Sequence, residues 1–470
     1  MNEVTRADLH AALAQAVVIE QQLGLQYLYA AASLQWVPPA ELPSDDPAQV
    51  AYEAARGAAT TLLLLARQEM EHQSWVLNLL LATGAAPPAF DDPPMPMELP
   101  VGGPALLQPF SRASLLRFIA EERPDHLDDP AGPCTAPHDL RTALAAIEGT
   151  DPGYGTPDAS GIYDHYVEIY DELVDVELTD GPLVLPLDEQ RGTQVVPDPV
   201  YGISGGNVES FEDALRAVDQ VVLEGEGGSS TTLWWGLDDD ARQAAVGHGV
   251  PAGGPPPPTT MPADRSHYCR LVGLWPLVSA PTVTVPTLDV PTNPALPDRA
   301  GEVADASTLE LITHPFSVPM VELGERAYGI LLDALRITYS ATGLDPMDAN
   351  AIHWTAYFQS MTMVVRPLLM VLARLPRDVS GGPARAGMTF RATGRYEGSF
   401  DGTCDDARRH VVARLRDLSE RLGALVGDGS ALPRETTDRP LVQRLLLGLQ
   451  HDVLRIGENL AVDSSTPLGG

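Results

Sequence analysis

The sequence predicts a mostly α protein: a four-helix bundle interrupted by a long insert and followed by a C-terminal helical region. Three observations predict it. Long proline-free stretches carry apolar residues at spacings of three and four. Clusters of Pro, Gly, Asp and Ser separate those stretches. Finally, Glu20, Glu69, His72, Glu226, Asp264 and His267 fall on four of them in the order acid, acid-x-x-His, acid, acid-x-x-His.

Residues 6–36 read as the first helix, with Leu9, Leu13, Val17, Glu20, Gly24 and Tyr27 on one stripe. Thr5 or Asp8 starts it, and Pro38-Pro39 stops it. The second helix covers residues 49–83 and carries Leu62, Leu65, Ala66, Glu69, His72 and Val76. The connecting loop is short enough to make the pair antiparallel. Residues 85–205 form the insert, with helical pieces at 114–122, 140–148 and 163–177 and Ser111 as a cap. An insert of this kind is expected to cover a site like a lid. The third helix starts near Asn207 or Ser210 and places Phe211, Leu215, Val218, Val222 and Glu226 on one face. A fourth runs from about residue 263 to 274 until Pro276, with Asp264, His267, Leu271 and Leu274 together. The bundle and its insert then occupy 1–278. The Val/Thr/Pro alternation of 279–300 is an extended linker, and 301–470 is the C-terminal region, with helical patterns at 320–341, 347–374, 404–427 and 438–461.

Composition narrows the function. A net charge of −34 and a pI near 4.5 argue against nucleic acid and against anionic membrane. The chain contains no lysine, which excludes a lysine Schiff base and a lysine-bearing phosphate loop. Its three cysteines, Cys134, Cys269 and Cys404, are odd in number and far apart, so neither a disulfide framework nor a cysteine zinc site is expected. No apolar run reaches the roughly 20 residues of a membrane span, and the N-terminus lacks the pattern of a secretory signal. A cytoplasmic protein is the expectation.

Taken singly, the six residues have plain readings. A Glu-x-x-His pair is common on solvated helix faces, and Asp264 suits a helix start. Together they supply four carboxylates and two imidazoles on four facing helices, which is what two nearby metal ions require. Oxygen ligands mixed with imidazole suit iron or manganese, with zinc a further alternative. Helical phase puts Glu226 inward with Val218 and Val222, and turns Glu224 about 200° away. By the same reasoning Glu71 leaves the inward face of the second helix. Tyr27 and Trp75 read as core. The remaining histidines, including His126, His138 and His165 in the insert, read as surface or core residues.

These pieces resemble a known family. Glu20, Glu69-Met70-Glu71-His72, Leu223-Glu224-Gly225-Glu226-Gly227 and Ser266-His267-Tyr268-Cys269-Arg270-Leu271 are similar to motifs of the ferritin-like family that includes the iminophenyl-pyruvate dimer synthase domain of violacein- and rebeccamycin-type bisindole biosynthesis. Met361–Pro376 is loosely similar to that family's C-terminal region. Asp264 departs from the family's pattern, which has Glu there. The resemblance implies a ferritin-like di-iron oxidase or oxygenase of specialised metabolism. It would use dioxygen or peroxide to oxidise a small, amino-acid-derived substrate such as an imine or enamine, and its metal ligands and catalytic residues would be Glu20, Glu69, His72, Glu226, Asp264 and His267. The alternative is a non-catalytic metal-binding or storage protein on the same bundle. Substrate identity and oligomeric state are not legible at this stage.

Overall fold

A computed structural model describes residues 4–461 apart from 39–41, 44–45, 47, 89, 91–96, 100–102, 124–133, 148–161, 196–206, 226–232, 256–265, 280–283, 299–309, 341–345, 397–403 and 428–431. The architecture is helical, as expected. Its centre is an antiparallel pair, α1 (Arg6–Ser33) and α2 (Ala48–Ala82). Thr5 opens α1 with a capping box: the Asp8 backbone N–H donates to Thr5 Oγ1, and Asp8 Oδ2 accepts from the Thr5 N–H at 3.0 Å. Such a box contributes about 1 kcal/mol. Every residue of α1 from Gln22 to Ser33 is buried. A helix buried on all sides lies inside the protein rather than on one face of it.

The surrounding layers explain that burial. Insert helix α3 (Arg112–Glu121) is capped by Ser111, and α4 (His138–Ile147) follows it. Then come α5 (Ile162–Thr179), which packs on α1, and α6 (Phe211–Gly225), which packs on both α5 and α2. A short helix α7 (Asp239–Gly247) precedes α8 (His267–Ser279), which packs on α2, α3 and α6. Two short sheets contribute little: β1 (Met97–Leu99) with β2 (Gly103–Ala105), and β3 (Pro294–Ala295) with β4 (Glu310–Leu311).

The C-terminal part comprises α9 (Ser317–Ser340), α10 (Pro346–Ile352), α11 (Arg366–Leu372), α12 (Cys404–Val426) and α13 (Arg439–Ala461). Two π-helical segments, His353–Phe358 and Met361–Val365, join α10 to α11. α12 and α13 pair with each other, while α11 also touches α1. Buried apolar residues from both ends of the chain form one continuous core.

Two expectations are corrected. Pro276 does not stop α8 but lies within it. An interior proline forfeits a backbone hydrogen bond. Here Leu271, Leu274 and Trp275 are buried beside it, and Trp275 Nε1 donates to Asp139 Oδ2 at 2.7 Å, which holds the helix through that point. The cysteines also correct the reading from spacing: Cys134 and Cys269 form a disulfide across 135 residues, their Cα atoms 5.6 Å apart. Pairing depends on distance in space, and packing of the insert against α8 brings the two together. Among the described residues, no helix is long and apolar enough to cross a membrane.

Candidate metal centre

Glu20 sits in the buried part of α1, and Glu69 and His72 lie one turn apart on α2. Gly24, one turn beyond Glu20, lets the two helices approach closely: a Cβ there would lie 3.3 Å from Glu69 Cβ. Glu69 faces both imidazoles. Its Oε2 is 3.1 Å from His72 Nδ1, and its Oε1 is 3.0 Å from Nδ1 of His267 at the start of α8. Glu20 Oε2 also lies 3.4 Å from His72 Nδ1. The two imidazole rings stack with centroids 5.2 Å apart. Glu69, His72 and His267 offer ligand atoms that all lie within 4.8 Å of one another, and all three residues are buried.

Two further acids complete the cluster, and neither was expected there. Glu224, in the last turn of α6, accepts from His72 Nε2 at 3.1 Å and is 0% exposed. The phase argument that turned it outward assumed one narrow stripe. α6 is packed on two sides, so Ala217, Val221 and Glu224 form a second buried row beside Val218 and Val222. Glu226 lies outside the described residues. Glu122 caps α3 from the insert, and its Oε1 is 3.4 Å from His267 Nδ1. Asp264, the acid expected to partner His267, also lies outside the described residues. Glu122 carried no sequence signal beyond following Glu121 at the end of an insert helix.

Supporting side chains hold the acids. The Tyr166 hydroxyl on α5 donates to Glu20 Oε1, Tyr27 donates to Glu122 Oε1, and Gln220 Nε2 donates to Glu224 Oε1. Tyr27 is thus more than core. Glu71, expected off the inward face of the second helix, is buried and paired with Arg67 at 3.0 Å. His165 is buried beside Tyr166 but contacts none of the four acids at ion-pair distance among the described residues.

The electrostatics call for cations. Burial pushes Glu20 up to about 7, aided by the neighbouring Glu69 charge. Burial alone would depress both histidines, yet the acids reverse this. His72 is raised well above its ordinary value by Glu20, Glu224 and Glu69, and His267 is raised to about 10 by Glu69 and Glu122. Burial also pushes Glu224 up, but the hydrogen bond from His72, the charges of His72 and His267 and the hydrogen bond from Gln220 together outweigh it and leave its carboxyl below the usual range. Glu20 Oε2, Glu69 Oε1 and both His267 ring nitrogens are buried without a hydrogen-bond partner. Four carboxylates match the charge of two divalent ions, and orphaned ligand atoms this deep otherwise cost several kcal/mol. The donor set fits two hard or borderline metal ions.

The profile of the ferritin-like family matches residues 13–248, half of the chain. The chain belongs to the ferritin-like family. This ferritin-like protein is also 27% identical over 451 residues to dichlorochromopyrrolate synthase from Lentzea aerocolonigenes, a match covering 90% of this chain and 40% of that one. The chain therefore spans less than half the length of that relative. A ferritin-like protein of solved structure from Caulobacter vibrioides superposes with a TM-score of 0.38 at 15% identity, covering 77% of this chain and 93% of its own.

Proposed function

We propose that this ferritin-like protein is a di-iron oxidase or oxygenase of specialised metabolism, acting with dioxygen or peroxide on a small amino-acid-derived substrate. The observation that carries the reading is Glu69, whose two oxygens face two different buried imidazoles at 3.1 and 3.0 Å. Glu20, Glu69 and His72 would hold one ion, and Glu69, Glu122 and His267 the other. Glu224 would accept from His72 Nε2, which fixes the tautomer that leaves Nδ1 free for metal. Bound iron would supply the redox chemistry with dioxygen.

The protein's own part is preorganisation. Tyr166, Tyr27 and Gln220 hold Glu20, Glu122 and Glu224 by hydrogen bonds, so the carboxylates need not reorganise. The insert helices α3 and α5, which supply Glu122, Tyr166 and so much of the burial, exclude water from the centre. The relative named a synthase lends support to an enzyme over a store. Manganese would suit the same donors. For location, the cytoplasmic expectation is set against the Cys134–Cys269 disulfide, since such bonds persist in oxidising surroundings.

The test is anaerobic loading with ferrous iron followed by oxygen exposure, with and without candidate amino-acid-derived substrates. Two irons per chain and substrate-dependent oxygen consumption are expected. Less than one iron per chain, unchanged by Glu69→Ala, would sink the assignment. Iron oxidation with no effect on any small molecule would favour storage.

A further inference from the structure

A cavity of about 170 Å³ adjoins the metal centre, with Glu20 and Glu69 on its wall. A cavity of roughly 150 Å³ admits a benzene ring, so this one has room for a single ring with a short chain. Most of its lining is apolar, from Leu25 and Leu28 on α1, Leu63 and Met70 on α2, and Leu331 and Leu332 on α9. The C-terminal helices are therefore part of the site's architecture, since the bundle alone would leave this side open.

One polar group on that lining is unexplained by the fold. Arg366 begins α11 and is half-buried. Its Nε is shut off from solvent without a hydrogen-bond partner, and its side chain makes no ion pair among the described residues. Burial lowers its pKa and no acidic neighbour offsets the effect. In a chain with 64 acids and 30 arginines, a cation without a carboxylate beside it is unexpected. Arg67, the other arginine on the lining, is already paired with Glu71. The π-helical turns set the position of Arg366. Tyr357, Met361 and Arg366 follow one another at steps of four and five residues, and all three line the cavity. Tyr357 is itself fixed by donating to Gln73 Oε1 at 2.8 Å.

We propose that this cavity binds an apolar monocarboxylate, with Arg366 gripping the carboxylate and the apolar wall holding the body next to Glu20 and Glu69. Guanidinium matches a carboxylate with two parallel hydrogen bonds. One unpaired cation balances one negative charge, and the two acids on the same lining disfavour a dianion such as phosphate. The proposal rests on the metal-centre reading only for what happens to the bound acid, since binding itself needs the cavity and Arg366.

The experiment compares 3-phenylpropanoate with its neutral isostere 3-phenylpropanamide on the full chain as isolated, by ligand-observed NMR titration, with iron content measured alongside. The acid is expected to bind at least tenfold more tightly than the amide. R366Q should bring that ratio to about one while leaving amide affinity and iron content unchanged, and R366K should retain part of it. An acid that binds no better than the amide, including binding of neither, overturns the proposal without needing any variant. A preference that survives in R366Q also overturns it. The two readings fail separately: an Arg366-dependent preference in a chain that takes up no iron would sink the metal centre alone, and two irons without the preference would sink the carboxylate pocket alone.

Discussion

Replacing Glu122 with Gln asks most directly whether an insert helix supplies part of the metal centre. The side chain keeps its size, and its Oε1 can still accept from Tyr27, so the change is the loss of one charge. Glu122 Oε1 lies 3.4 Å from His267 Nδ1, within the group of ligand atoms that would surround the second ion. At that separation a unit charge pair interacts by about 5 kcal/mol at an effective dielectric near 20. Part of this is returned because the neutral amide is cheaper to bury. A net loss of about 3 kcal/mol remains, or roughly 100-fold in affinity for one ion. The assay is anaerobic ferrous titration by calorimetry, with iron per chain counted after desalting and helicity checked by circular dichroism. The wild-type chain should hold two irons and Glu122→Gln one, while Asp264→Asn should still hold two. Two irons at wild-type affinity in Glu122→Gln, with one in Asp264→Asn, would refute the reasoning and restore the acid expected from sequence.

Other predictions follow from the same geometry. Glu224→Gln should weaken iron binding by about 10- to 100-fold without changing its stoichiometry, because Glu224 contacts the far nitrogen of His72; the same titration reads it. Iron affinity should fall as pH drops below about 10, where protons compete for His267, and further below about 7, where they also compete for Glu20; a pH series of titrations checks this. Buried Asp219 is pushed up to about 7 by burial, against 3.8 ordinarily. Its contribution to stability is complete below pH 3.8 and is lost as pH rises towards about 7, so Asp219→Asn should flatten the pH dependence of urea stability by up to about 4 kcal/mol over that window. Thiol titration of the unfolded, unreduced chain should find one thiol, and three after reduction, since Cys134 and Cys269 are joined.

Much of the fold was legible because its signals are local. The stripe through Leu9, Leu13 and Val17 and the Thr5 cap mark α1, and the prolines and glycines that end helices are read from sequence alone. Glu20, Glu69, His72 and His267 were legible for a related reason: acids and imidazoles on otherwise apolar faces need an explanation. Glu224 was misread because its burial depends on α6 having neighbours on two sides, which helical phase does not encode. Pro276 was misread because packing of Trp275 and its neighbours offsets a local penalty.

What the sequence by itself determined is therefore the helical class, the Glu69–His72 pair on one helix and the lack of any lysine chemistry. These follow from periodicity, spacing and composition, which act over a few residues or over the whole chain. Only the tertiary structure decided that Glu122 joins His267, that Cys134 bonds Cys269, and that Arg366 shares a cavity with Glu20 across 345 intervening positions. Each is a meeting of segments remote along the chain. Such meetings are set by how whole helices pack, and no local pattern of residues records them.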